Sequence, residues 1–69
     1  METVTPKLAD LDVLYTYEAS AAAAITAYAT AAARAYHPDV RGKFKDLTLA
    51  SMTAQKQARD LIVKLGGTI

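Results

Sequence analysis

Cysteine is absent from the 69 residues, so no disulfide can staple the chain and no thiolate can hold a metal. A single histidine among scattered carboxylates falls short of a zinc ligand set. Tryptophan is missing too, phenylalanine occurs once, and glycine and proline contribute only three and two residues. Few breakers leave room for long helices, and a chain this short rarely buries enough apolar surface to be stable alone. An excess of one charge is also lacking: eight basic and seven acidic residues give a formal +1. The densest basic spot, Arg41, Lys43 and Lys45, is bracketed by Asp39 and Asp46, which is no stripe for a nucleic-acid duplex. The opening Met-Glu-Thr-Val has no basic n-region of a secretory signal. Ser20, Thr26, Thr30 and Arg34 interrupt the Ala-rich run well short of a membrane span. The expectation is a soluble cytoplasmic protein, with oligomerisation left as the way to enlarge a small core.

What is present is helix-forming sequence in two blocks. Thr5-Pro6 reads as an N-cap followed by a proline at the first helical position, with Asp10 or Asp12 as later alternative starts. Nothing breaks a helix from there to Tyr36, and His37-Pro38 stops it because the residue before a proline is pushed out of the α region. The spacing predicts helix 1 over about 6–36, a turn over 37–43 containing Gly42, and helix 2 over about 44–65, closed by Gly66-Gly67. A short connection makes the two helices antiparallel neighbours, so the fold class is an all-α hairpin forming one domain.

Periodicity puts Leu11, Leu14, Ala21, Ile25, Tyr28, Ala32 and Tyr36 on one side of helix 1. On helix 2, Leu47, Ala50, Ala54, Ala58, Leu61 and Leu65 follow three-four spacing and form a seam of small residues flanked by larger ones. With these boundaries helix 2 is the shorter, and the first turns of helix 1 overhang it. Leu8, Leu11 and Leu14 are therefore the expected contacts of a homodimer, which pairs these overhangs or lays one hairpin on another as a four-helix bundle. Glu18, near the centre of the apolar face, needs a partner and lies opposite Arg59 or Lys64 in an antiparallel hairpin.

The stretch "ITAYATAAARAYHPDV" resembles the J-domain pattern, in which a loop between antiparallel helices carries His-Pro-Asp, here His37, Pro38 and Asp39. "KFKDL" from Lys43 is similar to the start of that family's next helix. The resemblance implies stimulation of an Hsp70 ATPase by the loop, with cations of the preceding helix docking on the chaperone. Thr26, Ala27, Thr30 and Ala31 stand where such cations are needed, Arg34 is nearly alone, and the loop is short. The tripeptide therefore reads better as a stop, a rigid turn and an N-cap candidate.

No nucleophile–base pair, Gly-rich phosphate loop or metal cluster can be read, so the enzyme class has least support and no catalytic, cofactor or metal residue is assigned. Binding is the remaining class. Tyr15 and Tyr17 point to different sides of helix 1, so at least one is expected at an intermolecular contact. The turn adds Tyr36, His37, Asp39, Val40, Arg41 and Phe44 as candidate protein-binding residues. Off the core face of helix 2, Leu49 and Met52, with Val63, share a side with Lys45, Lys56 and Arg59.

In its length, its Ala-rich first helix and its tight hairpin, the chain is similar to small host-takeover proteins of Mu-like Pseudomonas phages, the quorum-sensing anti-activators. That resemblance implies a homodimer in the host cytoplasm with two host partners. One is a LuxR-type transcription regulator, whose DNA binding it blocks; the other is the type IV pilus assembly ATPase. An RNA-binding helical dimer of the Rop type is the remaining alternative, and near-zero net charge argues against nucleic acid.

Overall fold

The computed structural model describes residues 6–69, with side chains from Leu8 onward. Two helices account for most of them: α1, Pro6–Arg34, and α2, Pro38–Lys64. Contacts that join Tyr15 to Thr68, Glu18 to Arg59 and Tyr28 to Phe44 run in opposite senses along the two segments, so the helices are antiparallel. The expected all-α hairpin is what the chain forms, and no strand occurs among the described residues. Pro6 opens α1; the expected Thr5 cap lies outside the described residues. Threonines are accommodated inside both helices because their hydroxyls donate back one turn, Thr16 to the Asp12 carbonyl and Thr48 to that of Phe44.

The boundaries differ from the sequence expectation at the turn. Helix α1 stops at Arg34 rather than Tyr36, and α2 begins at Pro38 rather than near residue 44. The stretch 37–43 is thus not a turn: it is the N-cap and opening turns of α2. A proline at the first helical position loses no hydrogen bond and brings the right φ, so the residue that stops one helix starts the next. His37 is extended, at φ −74 and ψ 131, and its side chain accepts from the backbone N–H of Asp39. Gly42 therefore sits within a helix, where its missing side chain faces open space, with no atom within 4 Å of a built Cβ.

The earlier start lengthens α2 to 27 residues against 29 in α1, about 40 and 43 Å at about 1.5 Å per residue. The expected overhang of α1 largely disappears. The C-terminal tail packs on Leu11 and Tyr15 of α1. Helix α2 ends in a Schellman arrangement: Gly66, at φ 86, donates to the Val63 carbonyl and Gly67 to that of Ile62.

Burial is confined to one narrow seam. Among the described residues, Ala21, Ala32, Ala58 and Ile62 are the buried apolar ones, and of these Ile62 is fully enclosed. Alanines let the helices approach closely, and half-buried Leu11, Leu14, Ile25, Tyr28, Phe44, Leu47 and Leu65 fill the flanks. The Tyr28 and Phe44 rings stand 6.2 Å apart near the turn. Each helix has only one neighbour, so the molecule is elongated, 54 × 23 × 15 Å. Its accessible surface is 5295 Å², against about 4200 Å² expected for a compact monomer of this mass.

Candidate functional site

The two ends of the hairpin hold the expected site residues in different states. At the open end, the Tyr15 hydroxyl donates to the Thr68 carbonyl at 2.8 Å and accepts from the Thr68 N–H at 2.9 Å. Tyr15 is thereby committed to an intramolecular clasp, and it is not the free contact residue expected of it. Leu11 packs on the same tail: a Cβ built on Gly67 would come within 2.9 Å of its Cδ2. Leu14 is half-buried on the α2 side. Of the three leucines expected at a dimer contact, only Leu8 is exposed, at 53%.

Glu18 meets Arg59, as the antiparallel register implies. Its Oε1 accepts from Arg59 Nε at 3.0 Å and also from Gln55 Nε2 at 2.9 Å. The hydrogen bond from Gln55, then that from Arg59, holds the carboxyl below its ordinary value of 4.5. A carboxylate facing an amide and a guanidinium, with no second acid beside it, is satisfied structurally and has no proton to exchange near neutrality.

At the turn, the tripeptide is a helix start. His37 Nδ1 accepts from the Asp39 N–H at 3.1 Å, and the Asp39 carboxylate stands 3.9 Å from the same nitrogen. Arg41 reaches back to donate from Nη2 to the Ala35 carbonyl at 3.0 Å, and Val40 is exposed. Phe44 is drawn inward against Tyr28, so it belongs to the core flank and not to a contact surface. Tyr36, which periodicity placed on the buried side of helix 1, is fully exposed. The period does not reach it because α1 has already ended.

Along the outer surfaces, Leu49 and Met52 are exposed as expected of contact residues, and so is Val63 further along α2. Leu49 also borders a hollow of about 290 Å³ between the helices, with Ala29, Ala32, Lys45 and Thr48. Tyr17 belongs to a second hollow of about 450 Å³ with Asp12, Val13, Thr16 and Ser20. All five lie on α1, so the hollow has a single wall and cannot enclose a small molecule. Val13, at 66% exposure, is a surface residue, unlike its half-buried neighbours Leu11 and Leu14. Its position off the α2-facing side of α1 separates it from them.

No group of three acidic or histidine side chains among the described residues could hold a metal ion. No helix among them is long and apolar enough to cross a membrane. Comparison with known proteins returns no matching family model, no matching curated protein and no matching solved structure.

Proposed function

We propose that the chain is a small non-catalytic protein that acts by occupying a surface on another protein, as an inhibitor or adaptor. One observation carries this reading. Among the described residues, eleven large apolar side chains stay exposed, whereas Ile62 is the only large one buried. A fold that spends its apolar residues on the outside gains little stability from them, and such surfaces mark contacts with other macromolecules. The open hollows and the absence of a charged stripe favour a protein over a small ligand or a nucleic acid.

Pairing of two hairpins is part of the proposal. Pairing would cover exposed apolar side chains such as Leu49 and Met52, and a stable pair needs about 800 Å² buried on each partner. Light scattering at rising concentration tests it, and a monomer throughout removes the dimer. The more specific reading is a phage anti-activator. It is supported by length, Ala-rich first helix and hairpin form, and it names a LuxR-type regulator and the pilus assembly ATPase as partners. Purified chain added to a LuxR-type regulator bound to its DNA site is expected to release the DNA. A regulator that keeps its DNA at saturating chain sinks the anti-activator reading.

A further inference from the structure

Tyr36 is exposed at 101%, the highest value among the large apolar residues described. A lone exposed aromatic is ordinary. This one has a structural cause. At a helix start, the residue before the N-cap commonly packs on the N4 side chain as a hydrophobic staple. Tyr36 precedes the N-cap His37, and N4 is Arg41, whose guanidinium is engaged with the Ala35 carbonyl. The staple is missing, and the phenol ring is left facing solvent.

The backbone beneath the ring is held without it. Ala35 N–H reaches the Ala31 carbonyl at 2.9 Å, Arg41 N–H reaches that of His37 at 3.0 Å, and the His37 side chain caps Asp39. Pro38 fixes its own φ. None of these bonds uses the Tyr36 side chain. The turn therefore presents an aromatic ring from a fixed platform, which removes most of the ordering cost of docking it. The exposed charges over the span 34–46 are mostly cationic: Arg34, Arg41, Lys43 and Lys45, against the carboxylates of Asp39 and Asp46.

We infer that the turn is a preformed docking knob. The Tyr36 ring enters an apolar pocket on a protein partner, Val40 packs at its edge, and carboxylates rimming the pocket pair with Arg34, Arg41 and Lys43. Tyrosine and arginine are the residue types that dominate binding hot spots, and a buried ring within a charged rim is the usual arrangement. The exposed Asp39 carboxylate in the middle of the tip opposes a phosphate backbone, so a protein fits better than a nucleic acid. This inference rests on the protein-binding reading above and names the end of the hairpin that performs it.

The test is quantitative capture from a bacterial lysate, its nucleic acids left intact, by the tagged 69-residue chain, comparing wild type with Tyr36→Ala, Tyr36→Phe, Lys43→Glu and Gln57→Ala, a control at an exposed position of α2 away from the tip. Circular dichroism is expected to show all five folded alike. The inference predicts that a protein retained by wild type and Gln57→Ala is lost by about thirtyfold with Tyr36→Ala, and weakened severalfold with Lys43→Glu. Tyr36→Phe restores capture, because the ring and not the hydroxyl fills the pocket. Equal retention by Tyr36→Ala overturns the knob and leaves the protein-binding reading standing on another face. Retention of nucleic acid alone, or of nothing, overturns both.

Discussion

The open end of the hairpin and its turn are built from the same alanine-rich helices, yet they are held by different kinds of bond. At the open end the contacts join residues far apart in sequence: Tyr15 with Thr68, Glu18 with Gln55 and Arg59, and Gly67 against Tyr15 and Leu11. At the turn every side-chain hydrogen bond described is local, His37 to Asp39 and Arg41 to Ala35, and Tyr36 makes none. Long-range bonds are made only when the hairpin closes, so they report its stability. Local bonds shape a segment whether or not the helices pack, and they leave side chains free for a partner. The difference separates the part of the molecule that maintains the fold from the part available to use it.

The largest blow to that contrast is Ile62→Ala, which empties the one fully enclosed large side chain. It is expected to cost about 3 kcal/mol and to lower the melting temperature by more than about 10 °C. A melt shifted by only a degree or two would mean that the open end does not hold the fold. The two glycines of α2 and its tail sharpen the comparison. Gly67→Ala would place its Cβ within 2.7 Å of Ile62 Cγ2 and of the Tyr15 hydroxyl, and is expected to destabilise by about 1–3 kcal/mol. Gly42→Ala, in open space within a helix, is expected to stabilise by about 0.5–1 kcal/mol. Paired thermal melts of the two variants should move in opposite directions.

Acid provides a weaker probe of the open end. The folded carboxyl of Glu18 is held below its ordinary value of 4.5, so its contribution is fully present above that pH and is lost as pH falls through the lowered folded value. Stability measured between pH 7 and 3 should fall more for wild type than for Glu18→Gln, and identical profiles would remove the role assigned to Gln55 and Arg59. The smallest effect belongs to the turn. Tyr36→Ala is expected to change stability by less than about 0.5 kcal/mol in a denaturant titration. A larger loss would show that the ring serves the fold after all.

Much of the architecture was legible before any coordinates. The two helices, the antiparallel hairpin and the Gly66-Gly67 stop follow from local rules of propensity, breaking and spacing, and the antiparallel order narrowed the partner of Glu18 to Arg59 or Lys64, of which the structure selects Arg59. The start of α2 was misplaced because Pro38 carries two meanings, and its role as an opener was outweighed by its role as a stop. That single shift accounts for the vanished overhang and for the loss of Leu11 and Leu14 as candidate dimer contacts. On α2, Leu61, Ile62 and Val63 are three consecutive apolar residues, and the three-four pattern took Leu61 inward. The structure buries Ile62 and exposes Leu61, because the close approach of the alanines fixes which angular position points at α1.

At the candidate site the legibility divides in the same way. Exposure of Leu49 and Met52 follows from their position off the core face, a property of the helix period alone. Tyr15 and Phe44 could not be placed so, since one is claimed by a tail 53 residues away and the other by a ring on the opposite helix. By itself the sequence determined that the chain makes two helices, roughly where each stops, and that so short a chain has little core to bury. Tertiary structure alone decided which side chains are used up by the fold and which, Tyr36 above all, are left over. The reason is that helix propensity is set within a few residues, while burial depends on the register and rotation of one helix against the other.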